Sequence, residues 1–272
     1  MRLNIFQKVL LAYFIGLVLF WLELNFIGKS KTGFPNYFFS FLFSVVPLLC
    51  GFLGMFFAKS WGWLKSSMGR AVFFVSLGSF CWGSGSMLWS YYNFFKDIPM
   101  PYPSLADVGF LAASLFWIIG VINLSRPSGA RSGSKNKKGK FLLLLIPTVV
   151  IAFSYYFLVA VARGGVLTSS FNDYVKLFFD LAYPISDVMI LTLSLVIFSL
   201  SINYLGGKYK MTVLNLLAGF VIMYFADFTF SYTTTIGSFF NGDFGDLLFA
   251  TALFLVSFSI MGFQLSNKQN TS

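Results

Sequence analysis

The chain contains no histidine and only two cysteines, Cys50 and Cys81, in 272 residues. Without histidine there can be no Ser-His-Asp triad, no Cys-His pair and no HExxH zinc site. The two cysteines fall in the middle of apolar runs, where they read as small packing residues rather than a disulfide or a metal pair. No metal, cofactor or catalytic residue is expected. Charge is also scarce. Only 10% of residues are charged, against 57% hydrophobic and 21% aromatic, whereas a soluble domain carries about 25% charged residues. Nine carboxylates make up the whole acidic complement: Glu23, Asp97, Asp107, Asp173, Asp180, Asp187, Asp227, Asp243 and Asp246.

In place of charge there are long apolar runs. Eight can be marked, at about 5–27, 37–58, 71–95, 105–124, 141–162, 176–204, 211–235 and 244–266. Each is close to the roughly 20 residues that cross a bilayer as a helix. A membrane barrel would need alternating polarity in shorter segments. FLLLLIPTVVIAF is apolar on every side, which suits a helix that satisfies its own backbone in lipid. The sequence therefore predicts an all-α integral membrane protein of eight transmembrane helices. The first run follows a basic start, but no small-x-small cleavage site comes after it, so it reads as a retained signal anchor.

Basic residues set the expected orientation. Fourteen of the 19 lie before span one, between spans two and three, four and five, or six and seven, or after span eight. The other five, Lys29, Lys31, Lys96, Arg163 and Lys176, fall on the opposite side with all nine acids. Both termini are expected to be cytoplasmic in a multi-pass protein of the cell membrane. The net charge of +10 then reads as a topology signal and an attraction to anionic lipid, not as nucleic-acid binding.

Residues 125–140, SRPSGARSGSKNKKGK, divide the chain into a first half (1–124) and a second (141–266), followed by a short cytoplasmic tail (267–272). Composition predicts a flexible, basic cytoplasmic linker there, read either as a topology signal or as a docking site for an acidic signalling partner. The halves align weakly. Setting Gly78 against Gly219 brings Trp89 to Phe230, Tyr91 to Tyr232 and, after a shorter loop, Asp107 to Asp246; Pro35 then faces Pro184. Four spans per half predict two parallel repeats about an axis along the membrane normal.

Carboxylates inside spans are costly and need a partner, water, a proton or a ligand. Asp180, Tyr183 and Asp187 share one face of span six. Pro184 cannot donate to the carbonyl of Asp180 and should kink the helix there. This stripe reads either as a ligand or proton site or as inter-helix hydrogen bonding. Asp227, with Tyr224 before it, lies in span seven at a similar outer depth; if adjacent to Asp187, the two would share a proton. Asp107, like Asp246, reads either as a helix cap or as a site residue, and Glu23 as a snorkelling interface residue or a site residue. Trp82, Trp89 and Tyr92 form an aromatic stripe on span three, either part of an interfacial belt or the wall of a pocket. A ridge of Ser79, Gly83, Ser86 and Ser90 suits close helix contact.

Three stretches carry a resemblance: Trp89-Ser-Tyr-Tyr with Pro101-Tyr-Pro-Ser-Leu-Ala-Asp107; Ala182-Tyr-Pro-Ile-Ser-Asp187; and Ala226-Asp227-Phe-Thr-Phe. Together they resemble the multi-helix N-terminal sensor region of some bacterial and archaeal diguanylate cyclases and sensor histidine kinases. The resemblance implies an eight-helix sensory or ligand-binding membrane module. No GGDEF stretch, phosphoacceptor histidine or ATP-binding segment follows Leu265, so it carries over no enzymatic output. The expectation is a non-enzymatic binding module in contact with membrane lipids, signalling through a separate partner. A small proton- or cation-coupled transporter is the alternative, and a lipid-acting membrane enzyme stands behind both.

Overall fold

The computed structural model describes residues 3–28, 31, 33–166, 174–202 and 209–264. Asp173, Arg2, Lys29, Lys208, Lys268 and the 267–272 tail lie outside them. Among the described residues there is no strand. Eight helices among the described residues are long and apolar enough to cross a membrane. They are α1 (Ile5–Leu22, continued by a π-turn to Ile27), α2 (Phe34–Phe57), α3 (Ser67–Lys96), α4 (Leu105–Leu124), α6 (Lys137–Ser154, continued by a π-turn Tyr155–Val161), α7 (Tyr174–Ser201), α8 (Lys210–Thr235) and α9 (Phe244–Gly262). A four-residue helix, α5 (Ala130–Gly133), sits between α4 and α6.

The helices begin where a side chain can serve the unpaired amides of the first turn. Asn4 and Gln7 form a capping box on α1, and Ser104 and Asp107 form one on α4. Ser66, Asn136 and Asp243 cap α3, α6 and α9. α3 lies along α2 on one side and α4 on the other; α8 lies along α9. α7 packs on both α8 and α4, while α2 meets α9. α1 and α6 are peripheral. Their outward side chains, such as Ile15 at 52% and Leu144 at 72% exposure, have an apolar partner only in lipid.

Close helix contact depends on glycine. Gly85 and Gly109 face each other between α3 and α4, and a Cβ on Gly109 would lie 2.8 Å from the Gly85 Cα. A Cβ on Gly83 would lie 2.6 Å from the Leu48 amide of α2. Ser86 of the same ridge bonds Ser44 of α2. The small-residue ridge is therefore a packing seam.

Two ends of the bundle differ in charge. At one, Asn4 donates to the Met261 carbonyl at 2.8 Å, Trp61 to that of Phe263 at 2.8 Å, and Arg70 to Asn123 at 2.7 Å. At the other, Trp21 donates to the Asp243 carbonyl at 3.0 Å and Asn36 to that of Asn241 at 2.9 Å. All the described carboxylates belong to this second, acidic end. The 125–140 segment lies at the first, basic end. Composition predicts it to be flexible, but Ser128 and Ala130 are buried and Gly133 seats against Leu200 of α7. Its small residues serve close approach, while Arg126, Arg131, Lys135, Lys137, Lys138 and Lys140 stay exposed.

Gly85→Ala should lower the melting midpoint in nanodiscs by the equivalent of about 1–3 kcal/mol of overpacking, because its Cβ would meet the Ala106 carbonyl at 2.7 Å. Gly16→Ala in α1, with nothing within 4 Å, should leave the midpoint unchanged or raise it slightly. Equal effects at the two positions would refute this packing account.

Candidate functional site

A cavity of about 590 Å³ opens at the acidic end between α3, α4, α7, α8 and α9. Its floor, near mid-bundle, is formed by Trp117 and Phe220, whose rings lie 5.4 Å apart. Its side wall is a chain of ring contacts. Trp82 packs against Phe110 at 5.2 Å and Phe249 at 5.8 Å, and Trp89 against Phe230 at 6.1 Å. Asn241 ties the mouth together: it donates to the Pro99 carbonyl at 2.9 Å and accepts from Trp89 Nε1 at 3.2 Å.

Five carboxyls reach this cavity: Asp107, Asp180, Asp187, Asp227 and Asp246. Three have neighbours that account for them. Asp107 accepts from the Ser104 amide at 2.7 Å, closing the α4 capping box, and from the Tyr183 hydroxyl at 2.8 Å. Asp246 accepts from the Gly242 amide at 2.6 Å and from Ser40 Oγ at 2.9 Å. Asp107 thus completes a helix cap while Asp246 ties down the turn ahead of α9, whose cap is Asp243, and both acids join their helix to a helix of the other half. Asp180 accepts from the Tyr102 hydroxyl at 2.7 Å. Burial, followed by that bonded carboxylate, holds the Tyr102 phenol well above its ordinary range.

Asp187 of α7 and Asp227 of α8 both line the cavity and act on each other's charge, with a side-chain hydrogen bond open to them when one is protonated. Asp187 also feels the attraction of Arg163. The guanidinium of Arg163, just beyond the π-turn of α6, donates through Nη1 to the main-chain oxygen of Asp180 at 2.8 Å and through Nε to Ser231 at 3.2 Å. That Asp180 oxygen is the one Pro184 cannot serve. α7 continues through Pro184 as helix, and the acceptor that Pro184 frees is taken by Arg163.

The other candidates separate. Trp82, Trp89, Tyr183, Pro184 and Tyr224 line the cavity, although the Tyr224 hydroxyl turns away to Ser154 of α6 at 2.9 Å. Glu23 is exposed in the π-turn of α1 and does not line the cavity. Tyr92 faces a separate shallow groove with Pro103 and Phe179. The sequence reading omitted Arg163, Lys176, Tyr102 and Asn241, all of which line the cavity. The signal for Arg163 was present: a proline-freed carbonyl in lipid needs a donor, and only five basic residues share its side. No family model, curated protein or solved structure matches this chain. The likeness to sensor regions rests on the residues quoted for it, and the chemistry of the cavity has to carry the functional argument.

Two measurements follow from this geometry. A double-mutant cycle of Asp107→Ala with Tyr183→Phe should give a coupling of about 1–3 kcal/mol, as expected for a hydrogen bond to a carboxyl acceptor; additive effects would mean the bond is not made. Burial also raises the Asp243 carboxyl, just ahead of α9, above its ordinary range. A carboxyl that holds its proton more tightly when folded favours folding at low pH and opposes it as pH rises through the folded value. Asp243→Asn keeps an oxygen for the cap, so it should raise the midpoint at neutral pH, with the gain shrinking as pH falls. A gain that grew toward low pH would contradict this.

Proposed function

We propose that the chain is a membrane-embedded sensory module whose acidic-end cavity binds a small ligand. The carrying observation is the cavity itself. Its size falls within the range of small-molecule sites, and it combines continuous aromatic walls with a pair of carboxyls that have each other as partner. In this reading the basic end faces the cytoplasm of a cell membrane, by the positive-inside rule, and the cavity opens outside. Ligand preference for one arrangement of α7 and α8 shifts the population of states. The exposed basic face of 125–140, seated on the inner end of α7, is the surface we assign to a cytoplasmic signalling partner.

Two parallel four-helix repeats belong to the same reading. Gly78 approaches the Ala113 carbonyl of α4, and Gly219 approaches the Ala252 carbonyl of α9, at the same offset from Asp107 and Asp246. Ser104 with Asp107 and Asp243 with Asp246 stand at matching first turns. The packing of α2 on α9 is answered by that of α4 on α7.

A transporter would use the same repeat and acid pair. Against it, the core below the cavity is filled by Val72, Leu216, Leu253 and Ile260, each at most 1% exposed, so this state offers no path onward. In nanodiscs, a panel of small cations, amines and neutral aromatics should include a compound that raises the wild-type melting midpoint but not that of Ser114→Phe, which fills the cavity. The same compound should not accumulate in proteoliposomes. Accumulation would replace sensing with transport, and equal shifts in wild type and Ser114→Phe would place binding elsewhere.

A further inference from the structure

The Asp187–Asp227 pair specifies what the cavity should hold. Two ionised carboxylates can only accept hydrogen bonds, so a bond between them requires a proton on one. Joined in this way, the pair would carry one negative charge and one shared proton. Among the described residues these two acids have no other side-chain hydrogen-bond partner, whereas the remaining carboxyls of the cavity are held. From α4, Asp107 faces the cavity bonded to Tyr183 of α7. From α9, Asp246 faces it bonded to Ser40. α7 adds Asp180, bonded to Tyr102 of the mouth loop, and Lys176. α8 contributes Tyr224, whose hydroxyl is engaged by Ser154. Arg163, beyond α6, is anchored on the Asp180 carbonyl and Ser231, and its charge attracts Asp187. The acid pair is thus the part of the charged lining with bonding capacity still directed at an occupant.

Among the described residues of the lining, carboxyls outnumber cationic side chains by five to two, which favours a positive ligand. The walls decide what kind. No group of three or more metal-ligating side chains occurs among the described residues. A hard metal ion takes six or more oxygens, and indole and phenyl faces supply none. Ring faces do bind organic cations, and Trp82, Trp89, Phe110, Phe230 and Phe249 present a continuous set of them around the acids.

We infer that the cavity takes an organic monocation with a flat apolar body, and that this cation replaces the proton shared by Asp187 and Asp227. The inference rests on the ligand-binding reading above. The exchange balances: the singly charged pair plus the cation gives two carboxylates bridging the cation, plus one proton released to water. No covalent bond to the ligand forms or breaks.

The test uses the full chain in nanodiscs and two probes of equal shape, 3-hydroxyphenyltrimethylammonium and its uncharged carbon isostere 3-tert-butylphenol. Binding is measured by titration calorimetry in buffers of different ionisation enthalpy across a pH series. The cation should bind at least tenfold more tightly than the isostere. Close to one proton should leave per cation bound, so that affinity rises about tenfold per pH unit. Asp187→Asn and Asp227→Asn each leave one carboxylate and no shared proton. Once shown to be folded by their melting transitions, they should still bind the cation but with no proton release and a flat pH dependence. The double Asn variant should lose the preference for the cation. Equal binding of the two wild-type probes would leave the ligand-binding reading standing and overturn this inference. Tight cation binding without proton release would overturn the exchange. Failure of both probes to bind wild type would overturn the inference and the binding reading together.

Discussion

Arg163 donates to the main-chain oxygen of Asp180 because Pro184, four residues on, has no N–H to offer it. Much of the acidic end follows from that contact. An unserved carbonyl in hydrocarbon costs several kcal/mol, so a donor has to be brought in from another segment. A guanidinium brought to that depth requires negative charge nearby, and Asp187 supplies it. The proline thus places a cation beside the acid pair without any lipid-facing charge. The π-turn Tyr155–Val161 is part of the same arrangement. Its extra winding changes which residue faces inward at the end of α6, and Arg163 is the residue delivered.

The rest of the bundle keeps this end open while closing the other. Glycine at α3–α4 and α8–α9 lets helix axes approach closely, and van der Waals contact has to supply the packing where lipid provides no hydrophobic drive between helices. Trp117 and Phe220 then cap a dense basic half. Toward the acidic end the lining turns to larger rings and carboxyls, which do not fill the space between helices. The cavity is what remains when polar groups that need neighbours are gathered inside a bundle of otherwise complementary surfaces.

How much of this was legible follows residue by residue. The spans were, because a bilayer demands length and apolarity together: 5–27 and 105–124 coincide with Ile5–Ile27 and Leu105–Leu124. Span starts drifted where capping outweighs hydropathy. α3 begins at Ser67 behind the Ser66 cap, and α6 at Lys137 behind Asn136, although charges there read as loop. The shared face of Asp180, Tyr183 and Asp187 was legible from helical period. Whether Asp187 meets Asp227 was not, since that depends on the rotation of two helices about their own axes. The need for a basic donor was legible, but not that Arg163 supplies it, since the π-turn breaks the period that would have placed it. Glu23 and Tyr92 shared the depth of the site but lie on other faces. The glycines and serines of 125–140 looked like a flexible composition because the packing that uses their small size is invisible in one dimension.

The account turns on Asp187 and Asp227 being neighbours inside the cavity. The direct measurement replaces both with cysteine in a chain whose native thiols, Cys50 and Cys81, have been changed to alanine, and treats nanodisc samples with a short bifunctional thiol reagent. A second protein carries cysteines at positions 23 and 227. The account expects rapid intramolecular cross-linking of 187 with 227, slowed by an aromatic ligand in the cavity, and none between 23 and 227. If 187 and 227 both react with a monofunctional reagent yet never cross-link, the two acids do not share a site and the central claim fails.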